Sequence, residues 1–373
     1  MNIFFIIRSL ANRGGVERTL TDKANYLASI GHKVTMVTYE QRNNPIVYEL
    51  CDGIKYVDLD CPYYTLYRFS LICRVKESLK MKRLFKRRLH NLVNEICPNV
   101  IVTPTYTSEF MKEILSAKDK AIIVVESHTA FTYDILGGTL TRRLRNFFYL
   151  QLLKKCDMLI ALTKGDALCW QKHIKNVRFV INPVPYYSDT LENIQKIPGR
   201  IIAVGRLHLQ KRFDRLIDAF SLIYRRNPLW YIDIFGSGME RSKLEKKVVD
   251  LGLSDRVHLL EPTKDIFSEY KKSQIFVLSS DYEGLPLALL EAMACGVAPI
   301  STKCPFGPDE VIEDGVTGLL ANMEVVDLAQ KMEWMITHEK ERLEIGQNAH
   351  QAAAQYKKEQ VMKKWEEAYL SVI

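Results

Sequence analysis

Residues 275–301 read IFVLSSDYEGLPLALLEAMACGVAPIS. The apolar run at 275–279 predicts a buried strand, and a second apolar run follows at 298–301. The Leu- and Ala-rich segment 283–292 between them predicts a buried helix, and Pro286 suits the first turn of that helix. A strand, a helix and a strand in this order predict a βαβ unit, and therefore a parallel sheet.

The same alternation continues in both directions along the 373 residues. Residues 182–200 lack periodicity and contain three prolines, so they predict a linker between two α/β halves. We predict an α/β protein with two doubly wound, Rossmann-like domains, at 1–185 and 186–356, that face each other across a cleft. Ligands of such folds bind at the carboxyl ends of the strands, so functional residues are expected just after strands. Further strands are predicted at 2–7, 33–39, 100–103, 121–126, 158–163, 177–181, 200–204, 230–235 and 257–260.

The composition is that of an ordinary folded protein. Hydrophobic residues make up 47% and charged residues 26%, which excludes disordered and collagen-like classes. Arg8 interrupts the apolar run at 1–7, and no window reaches the ~18 uncharged apolar residues of a membrane span, so neither a signal peptide nor a spanning helix is expected. None of the eight cysteines forms a C-x-x-C pair, which argues against a zinc site or a disulfide framework. We therefore expect a cytoplasmic protein with reduced thiols.

The helix start after the strand at 275–279 is the strongest candidate site. Free N–H groups in the first turn, together with the helix dipole, form a site for phosphate. Glu291, further along the helix, is placed to accept hydrogen bonds from a pair of sugar hydroxyls, and Glu283 is expected to point into the cleft. The alternative is an ordinary helix start with two solvated glutamates. Because the helix is expected to be buried, where an unpaired carboxylate is costly, we favour a functional role.

A second candidate site is the basic loop after the strand at 200–204. Arg206 follows the strand directly, and Lys211 lies near the next helix start. Arginine offers a planar fork and lysine a mobile point charge to phosphate oxygens, so the two together would neutralise a diphosphate without a metal. A solvated basic loop is the alternative, and the nearby glutamates favour the clamp.

Two candidates in the first half are weaker on their own. Gly14 and Gly15 lie between a strand and a helix, where glycine lets a backbone approach a ligand closely, but the G-x-G-x-x-G signature is absent. A tight turn is the usual explanation of such a pair. His128 follows the apolar strand at 121–126, where a structural role and a ligand contact are both open.

The order of these segments resembles glycosyltransferase family 4, whose members are retaining enzymes of the GT-B fold. The resemblance runs from about residue 3 to the C-terminus, and the motifs of the second half are the more specific. A GT-B fold also implies a C-terminal helix, at about 357–373, that crosses back to the first domain. The motifs are GGVER (14–18), SHT (127–129), INPV (181–184), GRL (205–207), KRFDRLIDAF (211–220), IFGSG (234–238), EGLPLALLEAMACGVAPI (283–300) and DGVTGLL (314–320).

The resemblance implies a role for each candidate residue. Arg206 and Lys211 would hold the donor diphosphate, and Glu291 would hold the nucleotide ribose. Gly15 would approach the diphosphate from the first domain, and His128 would contact the donor sugar near the reacting face. The remaining contacts to the donor sugar and phosphates would come from Glu283 and from the backbone of Gly284, Leu285, Pro286 and Leu287.

The resemblance also implies a mechanism. Transfer would retain the anomeric configuration by front-face attack, with the acceptor hydroxyl beside the departing phosphate. A covalent intermediate on Glu283 is the less favoured alternative. We predict no cofactor and no required metal, and we interpret Asp58-Leu59-Asp60 as a strand end rather than a metal-binding triplet. The donor is expected to be a UDP-sugar, and the Gly-Pro-x-Glu form at 307–310 resembles branches that transfer galactose-type or N-acetylhexosamine units.

Positive charge is concentrated in the first half, which carries 28 Lys and Arg against 16 Asp and Glu within residues 1–185. Residues 74–90 contain eight Lys and Arg and a single acid, with apolar residues at helical spacing. This pattern predicts a basic amphipathic helix that binds an anionic membrane surface, although a helix that simply packs on its own domain remains possible. Nucleic acid is not an expected partner, because no nucleic-acid-binding module is apparent.

We therefore expect a glycosyltransferase that is peripheral on the inner face of the cell membrane. It would transfer a hexose or N-acetylhexosamine from a nucleotide sugar to a lipid-linked or oligosaccharide acceptor in cell-surface polysaccharide biosynthesis, including lipopolysaccharide. One alternative is a transferase with a soluble small-molecule or protein acceptor. Another is a nucleotide-sugar-binding membrane partner without catalysis, against which the intact Arg206, Lys211, Glu283 and Glu291 argue.

Overall fold

The computed structural model describes residues 1–12, 14–68, 70–107, 109–132, 135, 139–191 and 195–373. The chain divides into two compact units. The first unit comprises residues 1–181 and 362–373, and the second comprises residues 182–361. Among the described residues, no helix is long and apolar enough to span a membrane.

The first unit is built on a parallel sheet of seven strands within the described residues, in the order β3-β2-β1-β4-β5-β6-β7. The strands are β1 (Asn2–Ile7), β2 (Lys33–Thr38), β3 (Ile54–Asp58), β4 (Val100–Pro104), β5 (Ile122–Ser127), β6 (Met158–Ala161) and β7 (Val177–Phe179). The helices of this unit are α1 (Gly15–Ser29), α2 (Leu71–Ile96), α3 (Met111–Ala117), α4 (Leu140–Leu153) and α5 (Lys164–Gln171). The central strand β1 is fully buried from Ile3 to Ile7, as expected where helices cover both faces of a sheet.

The second unit carries a parallel sheet of six strands within the described residues, in the order β10-β9-β8-β11-β12-β13. The strands are β8 (Arg200–Val204), β9 (Tyr231–Phe235), β10 (Val257–Leu260), β11 (Ile275–Leu278), β12 (Ala298–Thr302) and β13 (Leu319–Ala321). The helices are α6 (Phe213–Ser221), α7 (Arg241–Asp250), α8 (Ile266–Lys271), α9 (Leu287–Ala294), α10 (Pro308–Val311), α11 (Val325–Thr337) and α12 (Glu339–Ala353). The last helix, α13 (Lys358–Leu370), begins in this unit and contributes its residues from Met362 onward to the first.

In both sheets the strand order reverses next to the first strand of the unit. In the second unit, chain connections run outward from β8 on one side and from β11 on the other. Doubly wound sheets bind ligands in the crevice at the carboxyl ends of the strands that flank such a reversal. The loops after β8 and β11, which carry the two strongest sequence candidates, therefore emerge side by side at that edge.

The predicted α/β class with two Rossmann-like parallel sheets is confirmed. Differences lie at element ends: the helix predicted at 213–226 stops at Ser221 and continues as turns, and β13 was not predicted. The strand β13 has three residues, too few for a periodic pattern to be visible in the sequence. Pro286 was expected in the first helical turn but occupies the position just before α9.

Candidate functional site

The loops after β8 and β11 are joined by backbone and side-chain hydrogen bonds. The Asp281 amide donates a hydrogen bond to the Gln210 carbonyl at 2.9 Å, and the Gln210 side-chain amide donates to the Tyr282 carbonyl at 2.8 Å. The Ser279 hydroxyl donates to the Lys211 carbonyl, also at 2.8 Å. These bonds hold the two loops as one surface at the strand-order reversal.

An ion pair lies at the centre of this surface. Lys211 Nζ is 2.7 Å from Glu283 Oε1, and the Ser280 hydroxyl donates to the same oxygen at 2.5 Å. Glu283 is buried, so its charge requires partners of this kind. The pair fixes the Lys211 ammonium at the carboxyl ends of β8 and β11, where an incoming anion can also reach it.

Arg206 is the second cation at this edge. Its side chain is exposed, and among the described residues it has no ion-pair partner. The loop that carries it lies directly on two glycines: a Cβ at Gly236 would be 1.9 Å from the Gly205 carbonyl oxygen, and one at Gly238 would be 2.3 Å from that of Leu207. The Gly-Ser-Gly segment after β9 therefore gives the Arg206 loop its position.

A cluster of two arginines and two aspartates braces the Lys211 loop. Arg212 adopts a left-handed conformation with φ at 47°, and its guanidinium bonds both Asp214 and Asp281. Arg215 bonds Asp281 at 2.5 Å and the Ser279 carbonyl at 2.8 Å. Hydrogen bonding to Asp214 raises the pKa of Arg212, and although burial opposes it, the same contact lowers the pKa of Asp214. Both basic side chains thereby tie the Lys211 loop to the segment that leads into Glu283.

The start of α9 lies beside the ion pair. The amides of Gly284 and Leu285 donate to no acceptor within the described residues, whereas the Leu287 amide donates to the Leu285 carbonyl at 2.9 Å. Pro286 has no N–H, so it contributes shape rather than a hydrogen bond. Gly307 packs against this turn with φ at 104°, and a Cβ there would lie 2.8 Å from Pro286 Cδ. The site thus offers open amides next to Lys211, which is an arrangement suited to phosphate.

Two further side chains of this part of the second unit, those of Glu291 and Cys304, are buried. Glu291, one helical turn into α9, accepts a hydrogen bond from the Tyr270 hydroxyl at 3.2 Å. Cys304 follows β12, and burial together with the negative charge of Glu283 raises the pKa of its thiol to about 12. Glu291 therefore already has a protein donor, and Cys304 is a protonated, unreactive neighbour of the ion pair.

In the first unit, the predicted glycine pair lies between β1 and α1. Gly14 precedes the helix, and a Cβ at Gly14 would fall 2.1 Å from Glu17 Oε2. Gly15 is the first residue of α1 and its carbonyl accepts a hydrogen bond from the Thr19 hydroxyl at 2.7 Å. Arg13, just before the glycine pair, is outside the described residues. The three heavy atoms nearest to a Cβ at Gly14 all belong to the Glu17 side chain, so Gly14 is crowded by a flexible side chain and not by backbone.

His128 follows β5 and its side chain is almost fully buried. Its Nε2 lies 2.9 Å from Glu126 Oε2, and that carboxylate also accepts hydrogen bonds from Lys23 and Tyr369. Burial lowers the pKa of His128, so its ring is neutral near pH 7. The sequence indicated His128 but not the charged residues that hold it.

Two family models match consecutive parts of this chain. Residues 13–185 match the model described as "Glycosyltransferase Family 4", and residues 191–352 match "Glycosyl transferases group 1". The chain belongs to these glycosyltransferases. The site at β8 and β11 lies within the part matched by the second model.

Relatives of this glycosyltransferase are found over its whole length. The amylovoran biosynthesis glycosyltransferase AmsD of Erwinia amylovora is 25% identical over 374 residues, covering 97% of this chain and 98% of AmsD. The GalNAc-alpha-(1->4)-GalNAc-alpha-(1->3)-diNAcBac-PP-undecaprenol alpha-1,4-N-acetyl-D-galactosaminyltransferase of Campylobacter jejuni is 26% identical over 369 residues, covering 98% and 97%. The S. aureus TarM variant solved with fondaparinux, alpha-GlcNAc-glycerol and UDP has a TM-score of 0.79 at 15% identity, covering 99% and 100%. The GT-B fold is therefore confirmed for this glycosyltransferase.

The second unit of the glycosyltransferase brings most of the predicted site residues together. Arg206, Lys211, Glu283 and the turn from Gly284 to Leu287 share one edge of the sheet, and Glu291 stands behind them. Gly15 and His128 belong to the first unit. The sequence analysis did not identify Ser280, Arg212 or Asp281 as site residues. The charges of Arg212, just before Phe213, and of Asp281, two residues before Glu283, could have pointed to these two.

Asp58 is the last residue of β3, and its Oδ1 accepts a hydrogen bond from the Thr38 hydroxyl.

Proposed function

We propose that this glycosyltransferase moves a hexose or N-acetylhexosamine from a UDP-sugar to a lipid-linked glycan in bacterial cell-surface polysaccharide biosynthesis. The observation that carries the proposal is the surface of Arg206, Lys211 and the open amides of Gly284 and Leu285. Two cations and two N–H donors at the strand-order reversal suit a nucleoside diphosphate, whose charge must be stabilised as it departs. The TarM complex contains UDP, which supports this choice of donor.

The reaction we propose proceeds with retention and without a metal. The bond between the anomeric carbon and the diphosphate oxygen breaks, the acceptor oxygen attacks from the same face, and its proton passes to the departing phosphate. Lys211 and Arg206 would stabilise the negative charge of the departing diphosphate, as a divalent cation does in other enzymes. Glu283 is engaged by Lys211 and Ser280, so we favour a positioning role for it over a covalent one.

A lipid-linked acceptor is supported by the relatives and by the surface of the first unit. The name of the Campylobacter jejuni relative specifies an undecaprenol-linked substrate, and AmsD is named for polysaccharide biosynthesis. The basic segment 74–90 lies in α2, as predicted. Its later part packs in the core through Phe85 and Leu89, whereas Val75 and Leu79 are more than half exposed. One helix thus both packs on its unit and keeps basic and apolar groups at the surface.

The helix α4 carries a second face with exposed basic and apolar side chains. Four apolar side chains recur on it at helical spacing and are each more than half exposed. Three arginines accompany them, and α2, α3 and α4 share one hydrophobic core. A face of this composition suits an anionic bilayer, where basic residues attract the headgroups and apolar side chains enter the interface. The apolar residues are Leu140, Leu144, Phe147 and Phe148, and the arginines are Arg142, Arg143 and Arg145.

The donor and the acceptor are tested together. Purified enzyme is supplied with each of a panel of UDP-sugars and with an undecaprenyl-diphosphate-linked sugar, and turnover is followed by UDP release and product mass. We expect one or two UDP-sugars to support transfer, full activity with EDTA, and an α-linked product from an α-linked donor by NMR. Loss of activity that Mn²⁺ restores, or a β-linked product, would refute the corresponding part of the proposal.

Membrane association is tested by vesicle flotation. Reversing the exposed charges of Arg83, Lys86 and Arg87 to glutamate should release the enzyme from vesicles that contain phosphatidylglycerol. The reaction with a short, soluble acceptor should be unchanged. Arg88 is left intact because its guanidinium donates to the Leu59 and Asp60 carbonyls.

The matched control reverses three exposed basic residues of the second unit, Arg225, Lys246 and Lys340, and should float like the wild type. Equal loss in both variants would show that only net charge matters. If both variants still bind the vesicles and the enzyme uses soluble acceptors efficiently, the proposal of a lipid-linked acceptor is wrong. A soluble acceptor would then replace it.

A further inference from the structure

A single buried carboxylate organises the surroundings of His128. Glu126 Oε2 accepts a hydrogen bond from Lys23 Nζ at 2.7 Å and lies 2.9 Å from His128 Nε2. Glu126 Oε1 accepts a hydrogen bond from the Tyr369 hydroxyl at 2.5 Å. The Lys23 ammonium also lies 3.0 Å from the centre of the Trp365 ring. Lys23, Glu126, Trp365 and Tyr369 are buried, and the His128 side chain is only 3% exposed, so these polar contacts are little weakened by water.

The charges in this cluster balance. Although burial opposes ionisation, Lys23 and His128 hold the pKa of Glu126 down to about 2, so the carboxylate is ionised. Burial lowers the pKa of Lys23 to about 8, which leaves it protonated at pH 7, and burial also lowers the pKa of His128. The cluster therefore contains one cation, one anion and one neutral imidazole near pH 7.

This balance fixes the proton on the imidazole. A neutral ring carries one N–H, and the nitrogen that faces a carboxylate acceptor must be the donor. Nε2 faces Glu126, so Nε2 holds the proton and Nδ1 is left as an acceptor. The charged form would present a donor from both nitrogens, and the other tautomer would set a lone pair against the carboxylate.

We propose that Glu126 is a positioning residue for sugar transfer: it sets the tautomer and orientation of His128, so that Nδ1 accepts a hydrogen bond from a hydroxyl of the donor sugar. The inference rests on the proposed function, together with the donor contact that the family resemblance implies for His128. Lys23 neutralises Glu126 in place of solvent.

The C-terminal helix completes this cluster. Tyr369 and Trp365 both come from α13, and Trp365 is itself fixed by a hydrogen bond to the Ile181 carbonyl at 2.8 Å. Tyr369 and Glu126 are separated by 243 residues in sequence. The last helix is thereby a structural support of His128 and not only a covering of the first unit.

The test combines NMR of the His128 ring with steady-state kinetics. In enzyme labelled with ¹⁵N-histidine, the wild type should show the Nε2–H form of His128, identified by comparison with His128→Ala. Glu126→Gln should alter the tautomer or orientation of the ring and lower kcat about 10-fold or more, towards the value of His128→Ala, with the affinity for UDP unchanged. Because Glu126→Gln leaves Lys23 unpaired, the double variant Lys23→Met/Glu126→Gln, which carries no buried charge, is measured beside it.

Tyr369→Phe gives a graded check, since it removes one hydrogen bond from Glu126 and keeps the ion pair. It should shift the His128 signals slightly and lower kcat less than Glu126→Gln does. If the ring signals and kcat of both Glu126 variants equal those of the wild type while His128→Ala is impaired, the positioning role is wrong and the proposed function stands. If His128→Ala has full activity, the contact between His128 and the donor is wrong, and the inference falls with it.

Discussion

Lys211 and Glu283 are 72 residues apart in sequence, and their side chains meet at 2.7 Å where the loops after β8 and β11 adjoin. The carboxylate is buried and the ammonium is nearly so. A lysine that would otherwise be mobile is thus held at the point where a diphosphate would arrive. The conformational entropy of the Lys211 side chain is therefore lost on folding and not on binding, which favours binding of the diphosphate.

Replacing Lys211 by alanine should therefore have two effects. Loss of a charged hydrogen bond to phosphate costs about 1.5–3 kcal/mol, which corresponds to roughly 10- to 100-fold weaker UDP binding. The same substitution leaves Glu283 as a buried carboxylate that keeps only Ser280, so the melting temperature should fall as well. Calorimetric titration with UDP and thermal unfolding measure the two effects separately.

Arg206→Ala separates binding from stability. Its guanidinium is exposed and unpaired among the described residues, so UDP affinity should fall by a similar factor while the melting temperature stays within the error of the wild type. Arg225→Ala, an exposed arginine of the same unit, is the matched control and should change neither quantity. Unchanged affinity in Arg206→Ala and Lys211→Ala would remove both residues from the phosphate site.

The sequence predicts the parts of this site that are local. Glu283 and the turn after it stand between a buried strand and a buried helix, and Arg206 directly follows another strand, so topology alone places them at one edge. Sequence could not show that Lys211 bonds Glu283, because that contact depends on how two loops fold against each other. It also could not show that Pro286 lies just before α9, since helix ends vary by a residue or two.

The surroundings of His128 show more clearly what the sequence could not predict. Lys23 lies three residues after Leu20 and four before Leu27, so helical spacing places it on the apolar face of α1 without showing what pairs with its charge. Tyr369 is 243 residues from its partner. Only the folded first unit brings them to Glu126. Charged residues are almost never fully buried unless they are paired. The structure shows the partners of Lys23 and Glu126, and the sequence pattern does not.

The ion pairs of Arg212 and Arg215 with Asp281 lead to a further prediction. Asp281→Asn keeps the shape of the side chain but removes the charge that both guanidinium groups share. The Lys211 loop should lose rigidity, so UDP affinity should fall by several-fold and the melting temperature by a few degrees, about 1–2 kcal/mol. Asp255→Asn, an exposed aspartate of the same unit, is the control. An Asp281→Asn enzyme that binds UDP like the wild type would show that these ion pairs do not position Lys211.

Gly307 offers a prediction about packing on the phosphate turn. A methyl group there would lie 2.8 Å from Pro286 Cδ and 3.0 Å from the Gly284 carbonyl oxygen, and its φ of 104° is unfavourable for alanine. Gly307→Ala should therefore lower the free energy of unfolding by about 1–3 kcal/mol and displace the turn, weakening UDP binding.

Gly315→Ala is the matched control for Gly307→Ala. Gly315 also has a positive φ, 78°, but nothing lies within 4 Å of the added methyl group. Gly315→Ala should show the backbone cost of about 1–2 kcal/mol without any change in UDP affinity. Equal effects of the two substitutions on both measurements would mean that contact with Pro286 is not what Gly307 provides.

The buried carboxylate of Glu126 predicts how stability depends on pH. Its pKa is about 2 in the folded protein against an ordinary 4.5, so its contribution to stability is fully present above pH 4.5 and is lost as the pH falls towards 2, because the unfolded chain takes up the proton first. The variant Lys23→Met/Glu126→Gln lacks this group. The difference in unfolding free energy between wild type and variant should therefore narrow steadily in urea titrations from pH 5 to pH 2.5. Glu95→Gln, at an exposed pair with Lys55, should run parallel to the wild type over that range. A constant difference between wild type and the double variant would show that Glu126 titrates in the folded protein as it does in the unfolded chain.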